Sequence, residues 1–222
     1  MAKEPFDIDE VFRRLRRAVA GMPKAAMFDL RDRGFGAPFE QLVGSLISAR
    51  TRDETTLSAC LRLFAEARTP AAMAALDEAT LTRLLHGVSF ADVKARDIRA
   101  LSRRIVEEHG GQVPDTLEGL TAFRGVGPKV AALTLAVGFN RPAIAVDIHV
   151  HRITNRWGYV ATKTPERTAA ALAVKLPERY WIEINERLVP FGKSVCTGSL
   201  PPRCSTCLLL SMCRQVGVVK SR

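Results

Sequence analysis

The stretch Asp115-Thr-Leu-Glu-Gly-Leu-Thr-Ala-Phe-Arg-Gly-Val-Gly-Pro-Lys-Val-Ala-Ala-Leu-Thr-Leu135 decides the fold. Asp115 stands three residues before Glu118, the spacing of a capping box at a helix N-terminus. A short helix is expected from there to Gly125, a residue suited to the left-handed turn that ends helices. Gly127 follows, and Pro128 suits the first turn of a second helix. That second helix is expected to bury Val130, Leu133, Thr134 and Val137. The glycines permit positive φ and leave no Cβ in the way, so backbone N–H groups at a helix start can approach a phosphate. Gly125, Val126 and Gly127 are therefore candidate nucleic-acid contacts, with Val126 anchoring the turn in the core. An ordinary αα-hairpin, with glycines only for tightness, would read the same way.

Outward from the hairpin the pattern stays helical. Phe39, Leu42, Val43 and Leu46 recur at the 3.6-residue period, as do Leu57, Cys60, Leu61 and Phe64. Ile98, Leu101 and Ile105, then Trp181, Ile184 and Leu188, draw further apolar stripes. No strand alternation and no internal repeat is visible. Glycine and proline punctuate the segments at Gly34, Gly36, Pro70, Gly87, Gly110, Gly111, Pro114, Gly158 and Pro165. An all-α protein of roughly ten helices with short loops is expected.

The 222 residues are 47% hydrophobic, so a sizeable core can form. Their 33 Lys and Arg outnumber 23 Asp and Glu, a net charge of +10 that favours a polyanionic partner, nucleic acid being the commonest. No apolar run approaches the ~18 residues of a membrane-spanning helix. The start, Met1-Ala2-Lys3-Glu4-Pro5, lacks the apolar segment of a secretory signal. The expectation is a soluble, cytoplasmic, nucleoid-associated monomer with no membrane partner.

Lys129 begins the second hairpin helix. A neutral lysine amine can attack a sugar C1′ and form a Schiff base. Its ordinary pKa near ~10.4 must then be lowered, and the positive end of the helix dipole acts in that direction. A phosphate contact is the plainer role. Asp147 lies in Ile144-Ala-Val-Asp-Ile-His-Val150, bracketed by apolar residues. A half-buried carboxylate there can stabilise a cationic sugar or activate the nucleophile, or simply cap the helix that follows.

Four of the five cysteines close the chain: Cys196, Cys204, Cys207 and Cys213, spaced C-x7-C-x2-C-x5-C. Four thiolates so close can hold Zn²⁺ or one [4Fe–4S] cluster; disulfides suit an intracellular chain poorly.

With these three features in place, the chain resembles the endonuclease III family, helix-hairpin-helix DNA glycosylases with AP lyase activity. The resemblance runs from about Ala25 to Cys213. It is carried by Gly125-Val-Gly-Pro-Lys129, Ala145-Val-Asp147-Ile-His149 and the cysteines in order. It implies a two-lobed all-α fold. One six-helix lobe, 31–141, would contain the hairpin at 115–138; the other, 1–30 plus 142–222, would carry the iron–sulfur loop. It implies a [4Fe–4S] cluster on the four cysteines, Lys129 as Schiff-base nucleophile and Asp147 as catalytic carboxylate. It further implies duplex DNA with oxidised pyrimidines or abasic sites as substrate, run across the cleft between lobes, with the damaged base flipped out. The lysine separates this chain from the adenine glycosylases of mismatch repair, which lack it.

Departures from the family pattern are visible. The cysteine loop has one extra residue and keeps only Arg203 as a basic DNA contact. Arg50 stands where the family often has a glutamine that fills the hole left by the flipped base. The second wedge position, often leucine, aligns with Phe90, which can stack between bases or belong to the core. Arg50 and Arg52 could also be a solvated helix end, and Asp53 a helix cap. His149 is expected to support Asp147 structurally. Cys60, Trp157, Tyr180 and Trp181 are expected to pack. The competing functions are a catalytically weak DNA-damage binder on the same fold, and an iron–sulfur redox sensor.

Overall fold

The computed structural model describes residues 3–222. The first two residues of the expected N-terminal segment, Met1 and Ala2, lie outside that range. The described residues form twelve α-helices, one π turn and one 3₁₀ turn, with no strand among them. The chain folds as two compact units. One is Ala26–Ala143; the other joins Met1–Ala25 to Ile144–Arg222.

The contiguous unit carries α2 (Ala26–Asp32), α3 (Pro38–Ser48), α4 (Asp53–Glu66), α5 (Pro70–Ala75), α6 (Glu78–Leu84), α7 (Ala91–His109), α8 (Leu117–Thr121) and α9 (Pro128–Leu133). At its centre is α3, buried without a break from Phe39 to Ile47. The α7 stripe of Ile98, Leu101 and Ile105 is buried as the periodicity predicts. In α4 the buried line is Thr56, Ala59, Cys60, Leu63 and Phe64, so Leu57 and Leu61 sit at its margin. Neighbours cover slightly more of the Thr56 side than apolar spacing alone indicates.

Two local expectations are corrected. The first hairpin helix is capped by Thr116, whose Oγ1 accepts from Gly119 N at 3.1 Å. Asp115 instead pairs with Arg141, which also donates to its carbonyl. A hydroxyl one residue later serves the same orphan N–H. The second hairpin helix does not run on as α-helix but widens into a π turn, Thr134–Gly138. A Cβ on Gly138 would fall 2.9 Å from Pro38 Cα, so this glycine allows the turn to lie directly on the start of α3.

The other unit is built from α1 (Ile8–Ala18), α10 (Ile148–Trp157), α11 (Pro165–Lys175), a 3₁₀ turn (Glu178–Tyr180) and α12 (Glu183–Ser194). Its N-terminal helix joins the C-terminal segment through apolar packing first. Phe12 stacks on Tyr180 with ring centres 3.9 Å apart, beside buried Leu15, Leu188 and Phe191. Each such buried side chain contributes about 1.5–3 kcal/mol. Arg16 adds a bidentate pair to half-buried Glu183, at 2.6–2.7 Å.

Candidate functional site

The hairpin turn is held by two unlike glycines. Gly125 has φ +82°, and a Cβ there would meet Asp97 Oδ2 at 2.9 Å. The fold itself therefore demands glycine at 125. Gly127 is different: its φ of −90° suits any residue, and nothing lies within 4 Å of where a Cβ would be. The space in front of Gly127 is open to whatever approaches the first turn of α9. Val126 is buried between them, and Arg124 pairs with Asp97 at 3.2 Å.

Lys129 follows in the first turn of α9, half-buried, with Nζ 3.5 Å from Ser48 Oγ at the end of α3. Ser48 Oγ itself donates to the Ser45 carbonyl at 2.7 Å.

Asp147 belongs to the other unit. Its Oδ1 caps α10, accepting from His149 N at 2.9 Å and Val150 N at 2.8 Å. The capping role is therefore present, and Oδ2 takes no part in it. Ala145 and Val146 behind it are buried, while Ile148 beside it is 68% exposed. His149 Nδ1 is 3.1 Å from Arg152 Nη2, and its ring lies against Gly192 so closely that a Cβ there would clash. Arg152 also donates to the Cys196 carbonyl from Nε and Nη2.

All five cysteines are free of disulfides. Cys196, Cys204, Cys207 and Cys213 line one small cavity of about 20 Å³, walled by Trp157, Phe191 and Val218. Arg156 Nη1 lies 3.4 Å from Cys196 Sγ, and Gln215 N donates to Cys213 Sγ at 3.4 Å. Burial pushes the Cys207 thiol up to about 11 and raises that of Cys213. Among the described residues no three His, Cys, Asp or Glu side chains converge on a single metal ion. The thiols are instead arranged around a common space. Four sulfurs, apolar walls and N–H donors directed at two of the sulfurs suit an iron–sulfur cluster.

The loop between Cys196 and Cys204 is braced locally. Thr197 Oγ1 donates to the Leu200 and Pro201 carbonyls, and Arg203 N to Val195 O at 2.9 Å. The Arg203 side chain stays exposed. Both chain ends also fasten this segment, which the cysteine spacing gave no reason to expect. Lys3 Nζ donates to Leu210 O at 2.8 Å, and Arg222 N to Pro202 O at 2.9 Å.

Arg50 and Phe90 sit together in the contiguous unit. Both are exposed, and both have left-handed backbone, with φ +56° and +60°. The Arg50 guanidinium stands over the Phe90 ring, 6.0 Å from its centre. Phe90 is 57% exposed, so it is not a core residue. Arg52 directly precedes α4, and Asp53 is that helix's first residue.

One residue of this region escaped the sequence reading. Lys94 is only 6% exposed, and its ammonium donates to Ile47 O at 2.7 Å, Ala49 O at 2.6 Å and Thr51 Oγ1 at 3.1 Å. Burial pulls its pKa down to about 8, with Lys129 acting in the same direction and Cys60 opposing. A signal existed: Lys94 extends the Ile98–Leu101–Ile105 stripe backward by one turn.

The chain is similar to known proteins. Residues 43–178 match the family described as "HhH-GPD superfamily base excision DNA repair protein". The chain is 44% identical to endonuclease III of Thermotoga maritima over 190 residues, covering 83% of this chain and 89% of that protein. It is 40% identical over 184 residues to the chloroplastic endonuclease III homolog 2 of Arabidopsis thaliana, covering 79% of this chain but 47% of that longer relative. A trapped endonuclease III–DNA covalent intermediate, described as an estranged-adenine complex, superposes with a TM-score of 0.80 at 27% identity. The match covers 95% of this chain and 97% of the other.

Proposed function

This chain belongs to the endonuclease III family of HhH-GPD base excision DNA repair proteins, as a DNA glycosylase and AP lyase, and we propose that it excises oxidised pyrimidines from duplex DNA through a Schiff base on Lys129. The supporting observation is the placement of Lys129 directly behind Gly127, in the first turn of a helix whose approach is open.

The chemistry divides between two side chains. The neutral Lys129 amine forms a bond to C1′ as the glycosidic C1′–N bond breaks and the base departs. Positive charge develops on the sugar, and the Asp147 carboxylate stabilises it or takes the amine proton. With Oδ1 fixed by two backbone N–H groups, Oδ2 is the oxygen available for that work. His149, lodged between Arg152 and Gly192, holds the start of α10 in place. The sugar ring then opens, the C1′–O4′ bond breaking as O4′ takes a proton, and leaves an iminium that acidifies C2′–H; loss of that proton expels the 3′ phosphate oxygen by β-elimination, and water then releases Lys129.

The remaining residues grip DNA or support the grip. Backbone N–H groups at Gly125 and Gly127 meet a phosphate, while that of Val126 is spent inside the turn, donating to the Phe123 carbonyl at 3.1 Å. Arg50 and Phe90 enter the stack, where Phe90 props it open and Arg50 faces the unpaired base. Arg203 adds one phosphate contact from the cysteine loop. Cys196, Cys204, Cys207 and Cys213 would hold a [4Fe–4S] cluster, which when bound crosslinks the end of the chain into an ordered loop. The protein acts on DNA as a monomer, with the hairpin unit gripping the duplex and the other unit carrying the cluster.

Borohydride reduction tests this directly. Folded, cluster-loaded protein incubated with thymine-glycol or abasic duplex should yield a covalent complex, absent in Lys129→Ala. Salt-dependent DNA binding with no trapping on any lesion would replace the enzyme with a non-catalytic damage binder.

A further inference from the structure

We infer that Lys94 is a positioning residue that clamps Arg50 and Phe90 into one rigid, preformed wedge, an inference that rests on the proposed entry of those two residues into the duplex. Lys94 lies one helical turn after Phe90 on α7, and its backbone N donates to the Phe90 carbonyl at 3.0 Å. Its side chain crosses to the end of α3 and spends all three ammonium protons on residues 47, 49 and 51. Arg50 sits between the last two of these. The turn that carries Arg50 is thereby bolted to the helix that Phe90 caps.

Two further bonds close the device. Ser89 Oγ donates to Arg50 O at 2.8 Å, and Ser89 N to Thr51 Oγ1 at 3.3 Å. Thr51 Oγ1 thus serves both Lys94 and Ser89. Two neighbouring non-glycine residues in left-handed backbone do not hold that conformation unaided, because each is disfavoured by its Cβ. A buried ammonium is an expensive core component, and an apolar side chain would fill the same stripe on α7. Lys94 is explained instead by what it fixes. A wedge already ordered before it meets DNA loses little conformational freedom on insertion.

Lys94→Met removes the clamp and keeps the side chain's bulk. The measurements are borohydride trapping on single-stranded abasic DNA, excision from lesion-containing duplex, and fluorescence of a 2-aminopurine placed opposite the lesion. Single-stranded substrate needs no wedge, so trapping there should stay within twofold of the unmodified protein. Duplex excision should fall at least tenfold, and the 2-aminopurine rise that reports unstacking should be lost. A fall shared equally by both substrates, or unchanged duplex excision, would overturn the clamp. Should Lys94→Met fail to fold, as judged by circular dichroism, Ser89→Ala decides. It removes only the bond to Arg50 and should show the same split at threefold or more; no split there overturns the inference. Trapping by unmodified protein without any 2-aminopurine rise would defeat the wedge assignment itself, and the clamp with it, while leaving the lyase intact. No trapping by unmodified protein would instead locate the failure in the lyase.

Discussion

The guanidinium of Arg50 stands 6.0 Å from the centre of the Phe90 ring, and both residues hold positive φ at an exposed surface. An exposed cation–π pair is worth about 0.5–1 kcal/mol, less than the strain of two left-handed non-glycine residues at roughly 1–2 kcal/mol each. The arrangement therefore opposes stability and points to function. Phe90→Gly should relieve its share of the strain and, after the greater freedom of glycine in the unfolded chain, raise stability by about 0.5–1 kcal/mol. Excision from duplex should drop at least tenfold in the same protein. Thermal melting read alongside single-turnover excision checks both; a destabilised variant of full activity would refute the assignment.

Asp147 caps α10, and a conservative change can separate that role from the catalytic one proposed for it. Asparagine is as good a helix cap as aspartate, so Asp147→Asn should keep the bonds to His149 and Val150 and melt within about 0.5 kcal/mol of the unmodified protein. It cannot supply the negative charge, and base excision should fall roughly 10²–10³-fold, the scale of a lost preorganised electrostatic partner. Asp147→Ala should lose the cap as well, at about 1 kcal/mol. Equal activity of Asp147→Asn and the unmodified protein would leave the carboxylate only its capping role.

Cys60 and the four C-terminal cysteines should behave as different chemical species. Cys60 is fully buried, and burial pushes its thiol up to about 12, so it should resist alkylating reagents until the chain unfolds. Cluster-loaded protein should be brown and should lose that colour in Cys207→Ser, whereas Cys60→Ala should keep it. Removing iron by reduction and chelation should expose four alkylatable thiols and no fifth, counted by mass spectrometry. Zinc in place of iron would show as colourless protein with the same four protected thiols.

The parts of the molecule legible in the sequence are local ones. Gly125-Val-Gly-Pro-Lys129 and the cysteine spacing are runs of neighbours whose local placement, a turn before a helix and thiols around one cavity, follows from their order. The α7 stripe is legible because one helical period governs it. What the pattern could not supply depends on partners distant along the chain. Lys94 finds its acceptors 43 to 47 residues earlier, so periodicity shows that it is buried but not why. The two hairpin glycines read alike in sequence, yet only Gly125 has the left-handed backbone, φ +82°, that requires glycine. The π turn after Leu133 arises where Gly138 rests on Pro38, a contact no helical propensity encodes. The choice of Thr116 over Asp115 as cap depends on Arg141, which draws Asp115 away.

The depressed pKa of Lys94 gives a signature in stability against pH. Burial lowers this amine from the ordinary lysine value of 10.5 to about 8. Below pH 8 folded and unfolded chains both hold the proton, and the folded state bears the full penalty of a buried ammonium. Between about 8 and 10.5 the unfolded chain binds more protons than the folded one, so this group makes stability rise with pH, by on the order of 3 kcal/mol over the whole interval. Cys60 acts in the opposite sense, since its raised pKa costs stability above the ordinary thiol value of 9. The lysine effect should therefore stand out between pH 8 and 9. Urea unfolding of the unmodified protein should show stability rising across that interval relative to Lys94→Met, which lacks the proton. Duplex excision should fall over the same interval, because a neutral amine has only two protons for its three acceptors and the wedge loosens as the fold firms. Stability and wedge function moving in the same direction with pH would contradict the arrangement.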